Sequence, residues 1–414
     1  MKFKLQIKPS LIFIAITSLN YFVFCIVYYL ELRKEDINIE GVSFTAMPLS
    51  LPNESIGLIS WIFAVLITAG ILVYFKTPFK RNIPANRNSA PLNDFFISKT
   101  FESLAIGIIS LLLLCCTIHF SYLDWSLLYL NYEYQIIKTP NLISQDGGTF
   151  FRIFHFLFRL IGIFSAVFLC YSVARKRPLL LVVSLLVTAY CFFLLFIGES
   201  RWVNVYIAVF FISRLVLFKR KPTYFEYLIW GAVFVLLFCK VIVGRNYGIY
   251  GISAQLKIFS YLFEIDFANI ILGLFINFSD GFINLANSIE LRTNYSEEYK
   301  LLSFSPLPSS IDGFSSILEL NERRINFYVP FNSISEAWSF GGVYFALLTF
   351  LLIAFIYSCD LIYSISKPLV QSLILAIALW NLFYMFGYPI RNVMRVFEYM
   401  IIINLFFYIR TNNR

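Results

Sequence analysis

Four arginines lie at the ends of predicted membrane helices, on the face that otherwise carries few basic residues. They are Arg201 in GESRW, Arg245 in VGRNYG, and Arg391 and Arg395 in GYPIRNVMR. The guanidinium group is planar and matches phosphate geometry through paired hydrogen bonds. If these side chains converge at one membrane depth, they form a pocket for an anionic group. A lipid diphosphate is the natural candidate.

A further basic cluster lies in the fourth predicted helix. Arg152, His155 and Arg159 are spaced by three and four residues, so they share one helix face. The helix is predicted to begin at residue 151, which places Arg159 about two turns deep. A charge at that depth is costly unless it is paired or lines a water-filled cavity. Arg159 is therefore a candidate ligand for the same anionic group.

Structural explanations stay open for three of these arginines. Arg201 could form an ion pair with Glu199, and Arg395 with Glu398 three residues further along the helix. Arg152 could extend its side chain to the lipid headgroups. These alternatives need no ligand.

Glu336 is a candidate general base. It lies in VPFNSISEAWSFGG, directly before a predicted membrane helix. A carboxylate beside a diphosphate pocket can accept the proton of a sugar hydroxyl. The alternative is an acid that stabilises a helix N-terminus through the helix dipole.

Tyrosines in the outer connections offer stacking surfaces for sugars. Tyr247 and Tyr250 follow Arg245 within a few residues. The same residue type also forms the aromatic belt of membrane proteins at the lipid–water boundary. Both interpretations fit the sequence.

The composition defines the kind of molecule that must position these residues. Of the 414 residues, 59% are hydrophobic and only 14% are charged, and the mean hydropathy is +0.75. Soluble proteins carry roughly 25% charged residues. The sequence therefore predicts an all-α, polytopic integral membrane protein, and it excludes disordered, disulfide-rich and ordinary soluble classes. Seven cysteines without metal-site spacing and two histidines predict that no metal or other cofactor is bound.

Ten apolar segments are long enough to be membrane helices. Basic residues fall in every second connection, which predicts that both termini are cytoplasmic. Residues 1–243 form an N-terminal membrane region, 244–338 a large outer loop, and 339–414 a C-terminal membrane region. Within the loop, 254–276 carries three charges and is predicted to lie at the interface. The ten segments are 10–30, 56–75, 103–121, 151–173, 178–198, 202–218, 224–243, 339–359, 369–388 and 394–410.

The layout and motifs resemble those of Wzy-type O-antigen or capsular repeat-unit polymerases. The resemblance covers about residues 195–400 and rests on GESR at an outer hairpin, LPSS in the large loop, and PFNSISEAWSFGG before the last three helices. It implies a GT-C-like glycosyltransferase of the bacterial cytoplasmic membrane whose active site faces the periplasm. Such an enzyme transfers the growing glycan from polyprenyl diphosphate to a hydroxyl of an incoming lipid-linked unit.

The resemblance also gives the candidate residues roles. Arg245 is the first choice to stabilise the leaving diphosphate, with Arg201, Arg391 and Arg395 in support. Arg159 holds a diphosphate group. The expected partners are lipid-linked oligosaccharides and membrane lipid, together with a flippase and a chain-length regulator, and no nucleic acid. The sugars, the linkage, the type of polymer and the oligomeric state do not follow from the sequence.

An O-antigen ligase and a flippase or other transporter are the alternative functions. An O-antigen ligase characteristically has a histidine in the large outer loop, and residues 244–338 contain none. A flippase or other transporter needs charges along a path through the whole bilayer, whereas the unusual charges here gather on the outer side. Both comparisons favour the polymerase.

Overall fold

A computed structural model describes most of the helical part of the chain. The described residues are 7–29, 38–39, 42–43, 53–77, 99–129, 149–218, 222–246, 248, 250–264, 295–307, 313–314, 317 and 332–412. Everything below refers to these residues.

The described chain is helical apart from one pair of two-residue strands. The strands β1 (Asn38–Ile39) and β2 (Val42–Ser43) are antiparallel, with Asn38 opposite Ser43. The helices are α1 (Pro9–Tyr29), α2 (Asn53–Lys76), α3 (Lys99–Ser121), α4 (Trp125–Tyr129), α5 (Thr149–Arg175), α6 (Pro178–Ile197), α7 (Trp202–Leu217), α8 (Tyr224–Asn246), α9 (Gln255–Glu264), α10 (Glu297–Ser303), α11 (Ser333–Phe340), α12 (Gly342–Ile365), α13 (Pro368–Gly387) and α14 (Arg391–Asn412).

Eight of these helices are long and apolar enough to cross a membrane: α1, α2, α3, α5, α6, α8, α12 and α13. The chain is therefore a multi-pass helical membrane protein, as its composition predicts. The other two predicted membrane segments, 202–218 and 394–410, coincide with α7 and α14. These two are helical but do not belong to the eight, and α7 has only 16 residues.

The helix ends follow the local sequence. Pro178 and Pro368 occupy the first turns of α6 and α13, where a missing N–H costs no hydrogen bond. Asn332 caps α11 by accepting a hydrogen bond from the Ser335 N–H at 2.7 Å. Gly341 separates α11 from α12. Its φ of +114° is a conformation that glycine adopts without steric cost.

The core has two parts that meet at α13. One part joins α1, α2, α11, α12 and α14 to α13 through residues such as Leu375 and Leu382. The other joins α3, α5, α6 and α7 to the same helix through Leu369 and Ala376. Because α13 packs in both parts, its C-terminal end lies between the two groups of helices. We call this end of the bundle the outer end, since the distribution of basic residues predicts that it faces outward.

A buried polar cluster ties the opposite, basic end of the first group together. The Asp360 carboxylate accepts hydrogen bonds from the Ser10 N–H at 3.0 Å, the Ser10 hydroxyl at 2.6 Å and the Thr77 hydroxyl at 2.9 Å. The Lys8 ammonium donates to the Thr77 carbonyl at 3.0 Å. The cluster fixes the ends of α1 and α2 against α12.

The predicted interfacial segment 254–276 is described in its first half, which forms α9. Its remainder lies outside the described residues. The division of the chain at residues 243 and 338 stays a prediction.

Candidate functional site

Glu336 is a buried carboxylate held from two sides. Its side chain is 3% exposed and lies in the first turn of α11. One oxygen accepts a hydrogen bond from the Tyr299 hydroxyl of α10 at 2.9 Å. The other accepts from the Ile390 N–H, directly before α14, at 2.6 Å. The carboxylate therefore joins three short pieces of chain at the outer end of the bundle.

Burial dominates the protonation of this group. It raises the pKa of Glu336 to about 7, while the hydrogen bonds from Ile390 and Tyr299 act in the opposite direction because they favour the charged form. A carboxyl group with this pKa exchanges its proton near neutral pH. That is the property a general base or acid needs.

Arg391 follows Ile390, whose N–H binds the Glu336 carboxylate. Its side chain is 7% exposed, and its guanidinium donates hydrogen bonds to the carbonyl groups of Leu302, Ser305 (3.0 Å) and Leu307 (2.7 Å). It also lies 4.6 Å from the centre of the Phe314 ring. The guanidinium also interacts electrostatically with the Glu398 carboxylate of the same helix. Arg391 thus holds residues 302–307 against α14.

Arg395 follows Arg391 by four residues on α14, so the two lie on one helix face. Its side chain is half-buried. The structure therefore brings three of the predicted site residues, Glu336, Arg391 and Arg395, to the same end of the bundle.

Arg159 lies in an aromatic environment on the other side of α13. Its guanidinium donates to the Tyr384 hydroxyl at 3.5 Å and lies 6.0 Å from the centre of the Trp202 ring. The apolar stretch of α5 begins at Leu157. Arg159 is two residues into this stretch, and its depth in a membrane stays a prediction.

The backbone around Arg159 is fixed by Tyr206. The Tyr206 hydroxyl donates to the Arg159 carbonyl at 3.0 Å. Its ring fits against α5 only because residue 162 is glycine, since a Cβ atom there would lie 1.6 Å from the hydroxyl oxygen. The glycine thus allows α7 to position α5.

The outer end of α13 connects the two groups. The rings of Tyr384 and Tyr388 lie 4.8 Å apart. The Tyr388 carbonyl accepts a hydrogen bond from the Ser333 hydroxyl of α11 at 2.8 Å. A short series of contacts therefore runs from Arg159 through Tyr384 and Tyr388 to the helix that carries Glu336.

Glu199 of the GESR motif forms a buried ion pair with Lys240 of α8. The Lys240 ammonium donates to a Glu199 oxygen at 2.6 Å and to the Phe196 carbonyl at 2.7 Å. The same Glu199 oxygen accepts from the Gln255 amide at 3.1 Å. A Cβ atom on Gly244 would lie 2.6 Å from the Glu199 side chain. These contacts fix the α6–α7 turn against α8 and α9.

Arg201 and Arg245 lie next to this ion pair in the sequence. Arg201 precedes α7 as its N-cap residue and is half-buried. Arg245 lies within the last turn of α8, directly after the apolar stretch that ends at Gly244. The side chain of Arg245 lies outside the described residues, so its convergence with the other arginines stays a prediction.

The remaining predicted residues are placed less fully. Arg152 belongs to α5, but its side chain lies outside the described residues. Tyr247 as a whole lies outside them. Tyr250 is 4% exposed, which leaves little ring surface on which a sugar could stack.

Sequence reasoning did not find two of these contacts. Tyr299 and Glu336 are 37 residues apart, with no motif around the tyrosine. The Lys240–Glu199 pair had a signal, because a lysine inside an apolar helix needs a partner. Across the described residues, no group of three or more histidine, cysteine or acidic side chains could hold a metal ion.

Comparison with protein-family models, with curated proteins and with solved structures finds no match for this chain.

Proposed function

We propose that this protein is a membrane glycosyltransferase that polymerises lipid-linked oligosaccharide repeat units, with Glu336 as the general base. The observation that carries the proposal is the buried Glu336 carboxylate with a pKa of about 7, hydrogen-bonded to the Ile390 N–H directly before the helix that carries Arg391 and Arg395. The proposed enzyme has a GT-C-like architecture and lies in the bacterial cytoplasmic membrane, with the site facing the periplasm.

A multi-pass membrane protein suits such a substrate. A polyprenyl chain keeps the donor and the acceptor in the bilayer, so both reach the protein from the lipid phase. The diphosphate and the sugars then lie at the membrane surface. Arg391 and Arg395 lie in the first turns of α14, and Glu336 lies in α11, which contacts the C-terminal end of α13. Arg159 of α5 contacts Tyr384 near the same end of α13.

In the proposed step, Glu336 accepts the proton of a terminal sugar hydroxyl on the incoming unit. The hydroxyl oxygen forms a bond to the anomeric carbon of the growing glycan. The bond between that carbon and the diphosphate oxygen breaks, and polyprenyl diphosphate leaves with the electron pair. Because each carboxylate oxygen has two lone pairs, Glu336 can keep its hydrogen bonds from Tyr299 and Ile390 while it binds the hydroxyl.

The arginines stabilise the charge that develops on the leaving diphosphate. Arg245, Arg201 and Arg395 act as direct ligands, and Arg391 adds positive potential while it holds residues 302–307. Arg159 binds the diphosphate from the α13 side. Loss of one such contact costs on the order of 3 kcal/mol, roughly a hundredfold in rate.

A strain that lacks the gene tests the proposal. Its surface polysaccharide should consist of single repeat units on the acceptor, and the wild-type gene should restore the ladder of long chains. Glu336→Gln and Arg245→Ala should reach the membrane in normal amount but leave single units. An unchanged ladder in the deletion strain contradicts the proposal, and so does a complete absence of units on the acceptor, which indicates failed export or ligation.

A further inference from the structure

A groove of about 400 Å³ opens between four helices at the basic end of the bundle, at the opposite ends of α5 and α7 from Arg159 and Arg201. Ligand pockets in proteins have volumes of roughly 300–1,000 Å³. It runs beside the last turn of α5, the first turns of α6 and the end of α7, and α8 closes it. Its lining includes Leu169, Val173, Leu185, Phe210, Trp230 and Arg214.

The groove is apolar and open to the outside of the bundle. Val173 and Leu185 are 47% and 50% exposed. Among the described residues, Arg214 is the only charged one in its lining. In a membrane, water gains no hydrogen bonds from such a surface, so hydrocarbon is the favoured occupant.

Arg214 gives the groove a charged end. Its side chain is 17% exposed, lies over the Phe218 ring at 4.5 Å and has one nitrogen 3.5 Å from an oxygen of Glu226. The other Glu226 oxygen accepts a hydrogen bond from the Thr223 N–H at 2.8 Å, while the Glu226 N–H donates to the Thr223 hydroxyl. Glu226 thus forms the capping box of α8 with Thr223 and also pairs with Arg214.

Further positive charge lies at the same end. Arg175, the last residue of α5, and the two connecting residues Lys176 and Arg177 are exposed. Together with Arg214 they outweigh the single carboxylate of Glu226. The potential at the mouth of the groove is therefore positive, which attracts anionic headgroups.

We propose that the groove binds an anionic phospholipid of this leaflet, with an acyl chain along the apolar lining and its phosphate at Arg214. The apolar lining selects a lipid over a soluble anion. The arginine selects an anionic lipid over a zwitterionic one. The proposal is independent of the catalytic one, since it uses none of the same residues.

Native mass spectrometry of the full-length protein in detergent tests this site, with dioleoyl-phosphatidylglycerol and dioleoyl-phosphatidylcholine as probes. One basic side chain favours an anionic lipid about fivefold, so wild-type protein should retain the phosphatidylglycerol about fivefold better. Arg214→Gln should remove that preference. Glu226→Gln should increase it, because the amide keeps the capping box of α8 but no longer competes for Arg214.

The two substitutions separate binding from stability. If Arg214 served only as the ion-pair partner of Glu226, both variants would lose stability without changing lipid preference, and that result overturns the proposal. Equal retention of the two lipids by the wild type also overturns it. Glycerol 1-phosphate should not bind measurably, and binding as tight as that of the lipid would contradict a role for the groove.

Two more variants cover the case in which Arg214→Gln fails to fold. Arg214→Lys keeps the charge and should keep most of the preference for the anionic lipid. Leu185→Trp should fill the groove and lower the retention of both lipids. Undiminished retention by Leu185→Trp would place the bound lipid elsewhere and refute the proposed site.

Discussion

At the scale of single residues, Glu336 is governed by two opposing effects. Burial disfavours its charged form, whereas hydrogen bonds from the Tyr299 hydroxyl and the Ile390 N–H favour it. The result is a carboxyl group that is partly ionised near neutral pH. A solvated glutamate would be almost fully ionised there, and it would be a weaker base. The protein environment therefore converts an ordinary acid into a group suited to proton transfer.

The raised pKa of Glu336 predicts how stability depends on pH. In the unfolded chain Glu336 releases its proton near pH 4.5, but in the folded protein near pH 7. Between these values the folded state binds more protons, so the free energy of unfolding falls as the pH rises. The fall should reach about 3 kcal/mol. Thermal unfolding in detergent from pH 4 to pH 8 should show this decline in the wild type but a flatter profile in Glu336→Gln. Parallel profiles would contradict the assignment.

Tyr299→Phe should raise the pKa of Glu336 further. The substitution keeps the ring but removes a hydrogen bond to the charged form, which is worth about 1.5–3 kcal/mol. The pH at which chain extension reaches half its maximal rate should therefore move up by about 1 to 2 pH units. Tyr295→Phe is the matched control, because Tyr295 stacks on Tyr299 at 5.4 Å and removal of its hydroxyl should leave the profile in place. Equal profiles for all three proteins would exclude Tyr299 as a determinant of this pKa.

At the scale of helices, α13 decides how the site is assembled. Its two faces pack in different parts of the core, and its outer end contacts Arg159 on one side and the Glu336 helix on the other. The ion pair between Glu199 and Lys240 likewise holds the turn between α6 and α7 against α8. Both arrangements fix helix ends that carry arginines.

Lys240→Met should strongly destabilise the protein, because it leaves the Glu199 carboxylate buried without its ammonium partner. The expected loss is about 3–5 kcal/mol in the free energy of unfolding. Adding Glu199→Gln should recover most of it, since the second change removes the buried charge. Lys300→Met is the control: its pair with the exposed Glu297 has the same 2.6 Å distance, but solvent screens it, so little change is expected. Denaturant unfolding measures all four proteins, and equal losses for Lys240→Met and Lys300→Met would contradict the account.

Gly162→Ala should separate α5 from α7. The added Cβ would overlap the Tyr206 hydroxyl, so the tyrosine must move and lose its hydrogen bond to the Arg159 carbonyl. Overpacking of this kind costs about 1–3 kcal/mol. Gly107→Ala in α3 provides the comparison, because no described atom outside its own stretch of helix lies within 4 Å of its new Cβ. Thermal unfolding should show a loss for Gly162→Ala only, and a stable Gly162→Ala protein would mean that Tyr206 does not fix this contact.

At the scale of the whole molecule, hydropathy predicted the helices well because lipid imposes a simple rule. A helix that crosses a bilayer must be long and apolar, and eight of the ten predicted segments meet that standard. Hydropathy alone does not decide whether α7 crosses the membrane. The helix has only 16 residues and buries polar side chains such as Asn204, as a helix enclosed by other helices can.

Contacts between distant side chains could not be predicted in the same way. The type and spacing of Glu336 and Arg391 suggested a site, but the hydrogen bond from Tyr299 depends on how α10 folds back onto α11. The binding of Arg391 to three carbonyl groups depends on the path of residues 302–307. Such loop geometry leaves no periodic signal in the sequence.

The most direct test of the central proposal is polymerisation by the purified protein. Lipid-linked oligosaccharides extracted from the deletion strain serve as donor and acceptor, and mass spectrometry follows the products. The wild type should yield a ladder of masses spaced by one repeat unit together with free polyprenyl diphosphate, and Glu336→Gln should yield about a hundredfold less. Unchanged single units in the presence of folded wild-type protein would contradict the proposed function.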